Sequence, residues 1–93
     1  MKIFNNGNSV TIEGNIKSVS DFQEIKSIVD SIEGKTINII IKDSFSITSS
    51  VIGYFNKLIH KDSITINMSV SDSRLYDLLN DLNLISLFNV HKI

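Results

Sequence analysis

The sequence contains no cysteine, so its 93 residues can form neither a disulfide framework nor a thiolate metal site. It also contains no proline, so no helix or strand is broken by one. Nine basic and ten acidic side chains are scattered along it and leave a net charge of −1. Binding to a phosphate backbone requires a basic stripe, and none is present, so we expect no direct nucleic-acid partner.

Long apolar runs are absent as well. No segment approaches the length of about 20 residues that spans a membrane, and the N-terminal segment 1–7 lacks the apolar block of a signal peptide. We therefore expect a cytoplasmic protein without direct membrane insertion. With 42% hydrophobic and 20% charged residues, the composition is typical of a folded protein. A chain of this length is predicted to form a single domain, residues 1–93.

The residues that usually carry catalysis or bind metals are sparse. Glycine occurs only at Gly7, Gly14, Gly34 and Gly53, which fits neither a Walker loop nor a dinucleotide fingerprint. His60 and His91 are far apart and have no second histidine at ligand spacing, so we expect both on the solvated surface. Serines are numerous, but no nucleophile elbow surrounds any of them. We predict no enzyme activity, no metal and no cofactor.

Period-two segments and helix-period segments alternate along the chain. They predict strands at 2–4, 9–13, 36–42, 63–68 and 87–93, and helices at about 21–33, at 49–60 and after a Ser71 cap. Strands separated by single helices become parallel neighbours through right-handed crossovers. The predicted fold class is therefore α/β: a single small domain with a mostly parallel sheet, an antiparallel edge hairpin and three helices, in the order β-β-α-β-α-β-α-β.

Several finer features are also predicted. The segment Ser20–Gln23 has the form of a capping box, and Gly34 is placed to end the helix that follows it. The β-branched run 39–41 is typical of a central strand covered on both faces. The last helix is expected to turn a leucine face inward: Leu75, Leu78, Leu79 and Leu82. Tyr54 falls off the apolar stripe of its helix, which makes its ring a candidate for exposure to a partner.

A cluster of hydroxyl side chains precedes the second helix, at Ser44, Ser46, Thr48, Ser49 and Ser50. One explanation is structural, because Thr48 or Ser49 can accept a hydrogen bond from the free N–H groups of the first helical turn. The other is functional. A phosphate in that turn would meet free N–H groups and the positive end of the helix dipole without disturbing the fold.

The segment 47–55, "ITSSVIGYF", resembles the STAS domain of bacterial anti-sigma factor antagonists, whose form here is apolar-Asp-Ser-Ser/Thr-Gly-Leu-Gly. The strand end at Glu13–Gly14 and the leucine-rich tail 75–88 are similar to that family too, so the resemblance covers essentially the whole chain. It implies that Ser49 is the serine that an anti-sigma kinase phosphorylates and a metal-dependent phosphatase restores. Thr48 is a second possible acceptor. The unphosphorylated form would bind the kinase.

The resemblance also implies a docking surface formed by the hydroxyl loop, the exposed face of the second helix and the loop after the second strand. The predicted partner-binding residues are Phe45, Ser46, Ile47, Ser50, Val51, Ile52, Gly53, Asn15 and Lys17. The sequence departs from the family at three of its positions, where Thr48 replaces an aspartate, Val51 a glycine and Lys17 a second aspartate. These changes move the local formal charge from about −2 to +1, and a positive surround would hold a phosphate more tightly.

Two other functions remain open. The chain could be a constitutive STAS scaffold or an accessory subunit of a transporter ATPase, in which case the hydroxyls are only caps and no phosphorylation occurs. Binding of a nucleotide or small ligand at the same loop has little support, because no glycine-rich cradle is present. We expect a monomer or a weak dimer.

Overall fold

The computed structural model describes all residues from 1 to 93. Five strands and three helices follow one another in the predicted order, which confirms the α/β fold class. The elements are β1 (Lys2–Asn6), β2 (Ser9–Glu13), α1 (Val19–Asp30), β3 (Thr36–Lys42), α2 (Ser49–His60), β4 (Thr65–Val70), α3 (Ser73–Asp81) and β5 (Val90–Lys92).

The strands form one sheet in the order β1-β2-β3-β4-β5. The β1–β2 hairpin is antiparallel and the other three pairings are parallel, so the predicted edge hairpin is confirmed. Gly7 occupies the hairpin turn with a φ of 59°, a left-handed conformation that costs glycine little. Each of the strands β3, β4 and β5 is added at the same edge of the sheet, next to the strand that precedes it in the sequence. Right-handed crossovers therefore bring all three helices to one face.

The core lies between that face and the helices. In β3 the side chains of Ile37, Ile39 and Ile41 are fully buried, and their cross-strand neighbours continue the same layer. Phe55 from α2 and Phe88 from the segment before β5 pack edge to face, with ring centroids 6.0 Å apart. This contact joins the second helix to the C-terminal segment.

The opposite face of the sheet is open, and the prediction that β3 is covered on both faces is wrong. Asn38 and Ile40, which alternate with the buried isoleucines, are only half-buried. Their neighbours on this open face are mostly polar: Ser9, Thr11, Asn67 and Ser69. A β-branched run is compatible with one covered face or two, and the number is set by the side on which the helices cross.

The first helix begins two residues earlier than predicted, because Ser18 and not Ser20 is its cap. The Ser18 hydroxyl accepts from the Asp21 N–H at 3.1 Å, and the Asp21 carboxylate accepts from the Ser18 N–H at 3.2 Å. Asp21 also accepts from the N–H of Lys17, and this bond is the main reason that its pKa is lowered. A carboxylate that satisfies two N–H groups is a stronger cap partner than the amide of Gln23.

The helix boundaries differ elsewhere too. α1 ends at Asp30, before Gly34, because the Ser31 hydroxyl donates to the Ile28 carbonyl and its N–H closes the last turn. Asp72 caps α3, since its carboxylate accepts from the Arg74 N–H at 2.8 Å. The hydroxyl of Ser71, the predicted cap, is instead bonded to another loop.

Two further predictions in the C-terminal half of the chain, the start of β4 and the burial of Leu82, are wrong. Ser63 has a φ of 56°, which excludes it from an extended strand, and β4 accordingly runs from Thr65 to Val70. Leu75 and Leu79 of α3 are buried as predicted, but Leu82 is 48% exposed. It is the C-cap of the helix, so it no longer follows the inner stripe.

Candidate functional site

The hydroxyl loop lies at the carboxyl ends of the parallel strands, where such sheets commonly place their functional sites. Three loops meet there, and side chains tie them together. The N–H of Phe45 donates to Oδ1 of Asn15 at 3.0 Å, and the N–H of Asp43 donates to the Ser71 hydroxyl at 3.1 Å. Asn15, predicted to contact a partner, therefore supports the loop that carries Phe45.

A left-handed turn directs the chain from β3 towards α2. Asp43 has a φ of 54°, which is uncommon for a residue other than glycine, and the bond to Ser71 holds it there. Ser44 follows, is buried, and donates its hydroxyl to the Ser46 carbonyl at 2.9 Å. The Ser44 hydroxyl, the first of the cluster, is thus structural.

The two candidate acceptors, Thr48 and Ser49, have different environments. Thr48 is the N-cap of α2, and its Oγ1 accepts from the Val51 N–H at 3.3 Å. Ser49 is the first residue of the helix; it is exposed, and its hydroxyl has no hydrogen-bond partner in the domain. No acidic residue occupies the first turn of α2, so the positive end of its dipole is not neutralised by a side chain.

The predicted partner-binding residues fall into three groups. Phe45 is 49% exposed, and Lys17, Ser50 and Gly53 are also exposed. The second group is half-buried: Ser46, Ile47, Ile52 and Asn15. Val51 is fully buried against the sheet, so its predicted contact with a partner is corrected: it belongs to the core stripe of α2 with Phe55 and Leu58.

An open recess of about 390 Å³ separates the N-terminal ends of α1 and α2. Its lining comes from both helices and the loops before them: Lys17, Ser18, Val19, Phe22, Thr48 and Ser50. Lys17 is the only charged residue of the lining, and its ammonium forms no salt bridge in the domain. The positive surround expected from the sequence is therefore one free lysine beside the hydroxyls.

Arg74 also lies at the carboxyl ends of the parallel strands, a position that was not predicted. Its guanidinium lies over the ring of Phe45, 4.6 Å from the centroid, and forms a two-pronged bond to the carboxylate of Asp72. These bonds lower the pKa of Asp72. Arg74 is the only arginine in the sequence, and its position in the first turn of α3, at the same sheet edge, is the signal that could have indicated it.

Tyr54 is not exposed, and its candidacy as a partner contact is wrong. It is only 5% exposed, its ring packs edge to face on Phe22, and its hydroxyl donates to Asp30 of α1. Burial, and then this bond, raise the pKa of Tyr54 above its ordinary range. The bond from Lys26, 2.7 Å from Asp30 Oδ2, is the largest reason that the pKa of Asp30 is lowered.

Comparisons of this chain with protein-family models, with curated proteins and with solved structures found no match. The resemblance to the STAS family thus rests on the residues quoted above. Nowhere in the domain do three or more histidine, aspartate or glutamate side chains come together as a metal site would require. Its helices are all too short or too polar to cross a membrane. Both histidines are exposed, as predicted.

Proposed function

We propose that the domain is a partner-switching protein of the anti-sigma factor antagonist type, working in the cytoplasm. The unphosphorylated domain docks a serine kinase through the end of the sheet at which the hydroxyl loop lies. Phosphorylation of Ser49 releases the domain from the kinase. A serine phosphatase then removes the phosphate and restores the docking form. The observation that carries the proposal is the position of Ser49, exposed at the first residue of α2 and outside the capping bond made by Thr48.

The fold can accommodate a phosphate at this position. A phosphoserine would add a charge of about −1.5 to −2 beside the N-terminal end of a helix whose first turn lacks an acidic side chain. The Thr48 cap does not involve the Ser49 hydroxyl and would stay in place. The domain would therefore remain folded after modification, which a reversible switch requires.

The phosphate would weaken the binding of the partner and leave the fold of the domain unchanged. We define the docking surface as the exposed group around Ser49: Lys17, Phe45, Ser50 and Gly53. Phe45 supplies an aromatic anchor, which interfaces favour, and Arg74 holds its ring in place. A dianion on this surface must lose its hydration when a partner binds, so docking becomes unfavourable.

Phosphorylation is tested by incubating the domain with the cognate serine kinase and ATP. We expect intact-mass spectrometry to show one added phosphate on the wild type and on Ser50→Ala, and none on Ser49→Ala. Calorimetry then compares Ser49→Asp with Ser49→Asn, which has the same shape without charge. We expect at least a tenfold loss of kinase affinity for the aspartate, about 1.4 kcal/mol, and little loss for the asparagine. Equal affinity of Ser49→Asp and the wild type would exclude the switch.

A second function is supported by the contact between Phe45 and Arg74, which forms an anchor that does not involve Ser49. On this alternative the domain is a constitutive scaffold or an accessory subunit of a transporter ATPase. Capture from native cells distinguishes the two functions. Transport subunits, retained equally by the wild type and Ser49→Asp and lost with Phe45→Ala, would favour the scaffold; a serine kinase lost with Ser49→Asp would favour the switch.

A further inference from the structure

The outer side of β1 is unpaired. This strand contacts only β2 in the sheet, and Phe4 at its centre is 50% exposed. An open edge offers free N–H and C=O groups to another strand, and proteins usually block it with proline, a bulge or an inward charge. β1 has no proline, pairs with β2 without a bulge over five residues, and carries one charge, at Lys2. We propose that a second copy of this chain pairs with β1, antiparallel, about a two-fold axis at Phe4.

The hairpin determines which backbone groups are available. Asn6 and Ser9 flank the two-residue turn and form the hydrogen-bonded pair that closes such hairpins. Because the pattern alternates, the backbone groups of Ile3 and Asn5 point away from β2. With the two-fold axis at Phe4, Ile3 of each copy meets Asn5 of the other, and each such pair exchanges two hydrogen bonds. The two Phe4 residues then form a non-hydrogen-bonded pair, the more closely spaced kind.

The proposed register also suits the side chains. Phe4 pairs with Thr11, which pairs with Ile40, so its ring lies on the open face of the sheet. A two-fold axis perpendicular to the sheet keeps both open faces on one side and brings the two rings into contact. Antiparallel pairing places Lys2 opposite Asn6, whereas parallel pairing in register would set the two Lys2 residues side by side. Like charges directly opposite destabilise a strand pair, so charge favours the antiparallel arrangement.

The dimer is weak. One pair of five-residue strands buries far less than the roughly 1,200–2,000 Å² of a stable interface, so we expect a dissociation constant on the order of 100 μM. Sedimentation equilibrium should show a monomer in dilute solution and a growing dimer fraction as the concentration rises. A protein that remains monomeric at about 1 mM would overturn the proposal.

The absence of native cysteine permits a direct test of the register. In a glutathione redox buffer we expect Phe4→Cys to form a disulfide-linked dimer, since the two introduced side chains face each other at close spacing. Asn6→Cys is the matched control, on the same face of the same strand. In this register its two copies are separated by about four residues along the strands, or roughly 14 Å. We expect at least tenfold less linked dimer from it, and equal linkage of the two variants would overturn the register.

Two further variants test the edge itself. Asn5→Pro removes an N–H that points away from β2 and leaves the hairpin bonds in place, so it should abolish both the dimer and the linkage of Phe4→Cys. Phe4→Lys places two positive charges opposite each other and should also give a monomer. Circular dichroism establishes that each variant is folded. Dimerisation of folded Phe4→Lys at the wild-type concentration would exclude β1 as the interface.

Discussion

The hydroxyl of Tyr54 in α2 donates a hydrogen bond to Oδ1 of Asp30, the last residue of α1. Lys26 reaches the other oxygen of the same carboxylate and lies 5.7 Å from the centre of the tyrosine ring. The contact joins the C-terminal end of α1 to α2, while the recess lies between the N-terminal ends of the same two helices.

Tyr54→Phe is expected to lower the free energy of unfolding by about 1 kcal/mol, since it removes one hydrogen bond and keeps the ring in place. Urea unfolding at neutral pH measures the change. Tyr76→Phe is the control, because the Tyr76 hydroxyl has no hydrogen-bond partner in the domain. In a double-mutant cycle with Asp30→Ala, we expect a coupling of at least about 0.5 kcal/mol; additive losses would show that the bond does not stabilise the fold.

The different roles of Thr48, which caps α2, and Ser49, whose hydroxyl is free, can be measured without a partner. Thr48→Ala should cost about 1 kcal/mol of unfolding free energy because the Val51 N–H loses its acceptor, while Thr48→Ser should retain most of it. Ser49→Ala should stay within about 0.5 kcal/mol of the wild type, as exposed substitutions usually do. Urea unfolding of the three variants compares them. A larger loss for Ser49→Ala than for Thr48→Ala would reassign the cap.

The cap of α1 predicts that the stability of the domain changes with pH in the acid range. The pKa of Asp21 is lowered in the folded state, mainly by the bond from the Lys17 N–H. A carboxyl whose folded pKa lies below its unfolded value stabilises the fold above the unfolded pKa, and this contribution disappears as the pH falls through the folded pKa. Asp21→Asn should therefore be less stable than the wild type at neutral pH, and the difference should shrink as the pH falls into the acid range in which the folded carboxyl becomes protonated. Urea midpoints across that range test it; a constant difference would contradict it.

The two faces of the sheet can be compared at adjacent residues of β3. Ile39 is fully buried under the helices and Ile40 is half-buried on the open face. We expect Ile39→Ala to cost about 3–4 kcal/mol, because it leaves a cavity, and Ile40→Ala to cost about 1 kcal/mol. Denaturant unfolding measures both. Similar losses at the two positions would mean that something covers the open face in solution.

The order of the elements was predictable because each strand and helix carries its own apolar period. The open face was not, since the isoleucine run of β3 is the same whether helices cover one side or both. Tyr54 was misassigned for a related reason. Its side chain lies off the stripe of α2 that faces the sheet, but it packs against α1, and this contact depends on how the two helices pack together. The first cap was placed wrongly because Ser18 and Ser20 compete, and the carboxylate of Asp21 decides between them.

The candidate site was predicted in part. Ser49 is exposed at the start of the second helix, where the sequence placed it, and Phe45, which the resemblance assigned to the partner surface, is exposed as well. The role of Arg74 did not, because it depends on three loops meeting at one edge. Val51 was predicted to contact a partner because of its position in the motif, although its spacing from Phe55 and Leu58 already indicated the core stripe.

Gly53 offers a test in which stability and docking should change in opposite directions. It lies in the middle of α2, is exposed, and a Cβ built there would meet no atom within 4 Å. Gly53→Ala should therefore stabilise the domain by about 0.5–1 kcal/mol, because alanine loses less backbone entropy in a helix. If a partner approaches the backbone at this glycine, the added methyl group should also weaken docking.

Asn56→Ala is the matched control for this prediction, because Asn56 is exposed one turn later in the same helix. It should also stabilise the domain, since alanine has the higher helix propensity, but it lies outside the docking surface and should leave kinase affinity unchanged. Thermal unfolding and calorimetry are measured on both variants. Equal affinities for Gly53→Ala and Asn56→Ala would remove Gly53 from the docking surface, and a loss of stability in Gly53→Ala would contradict the open space around it.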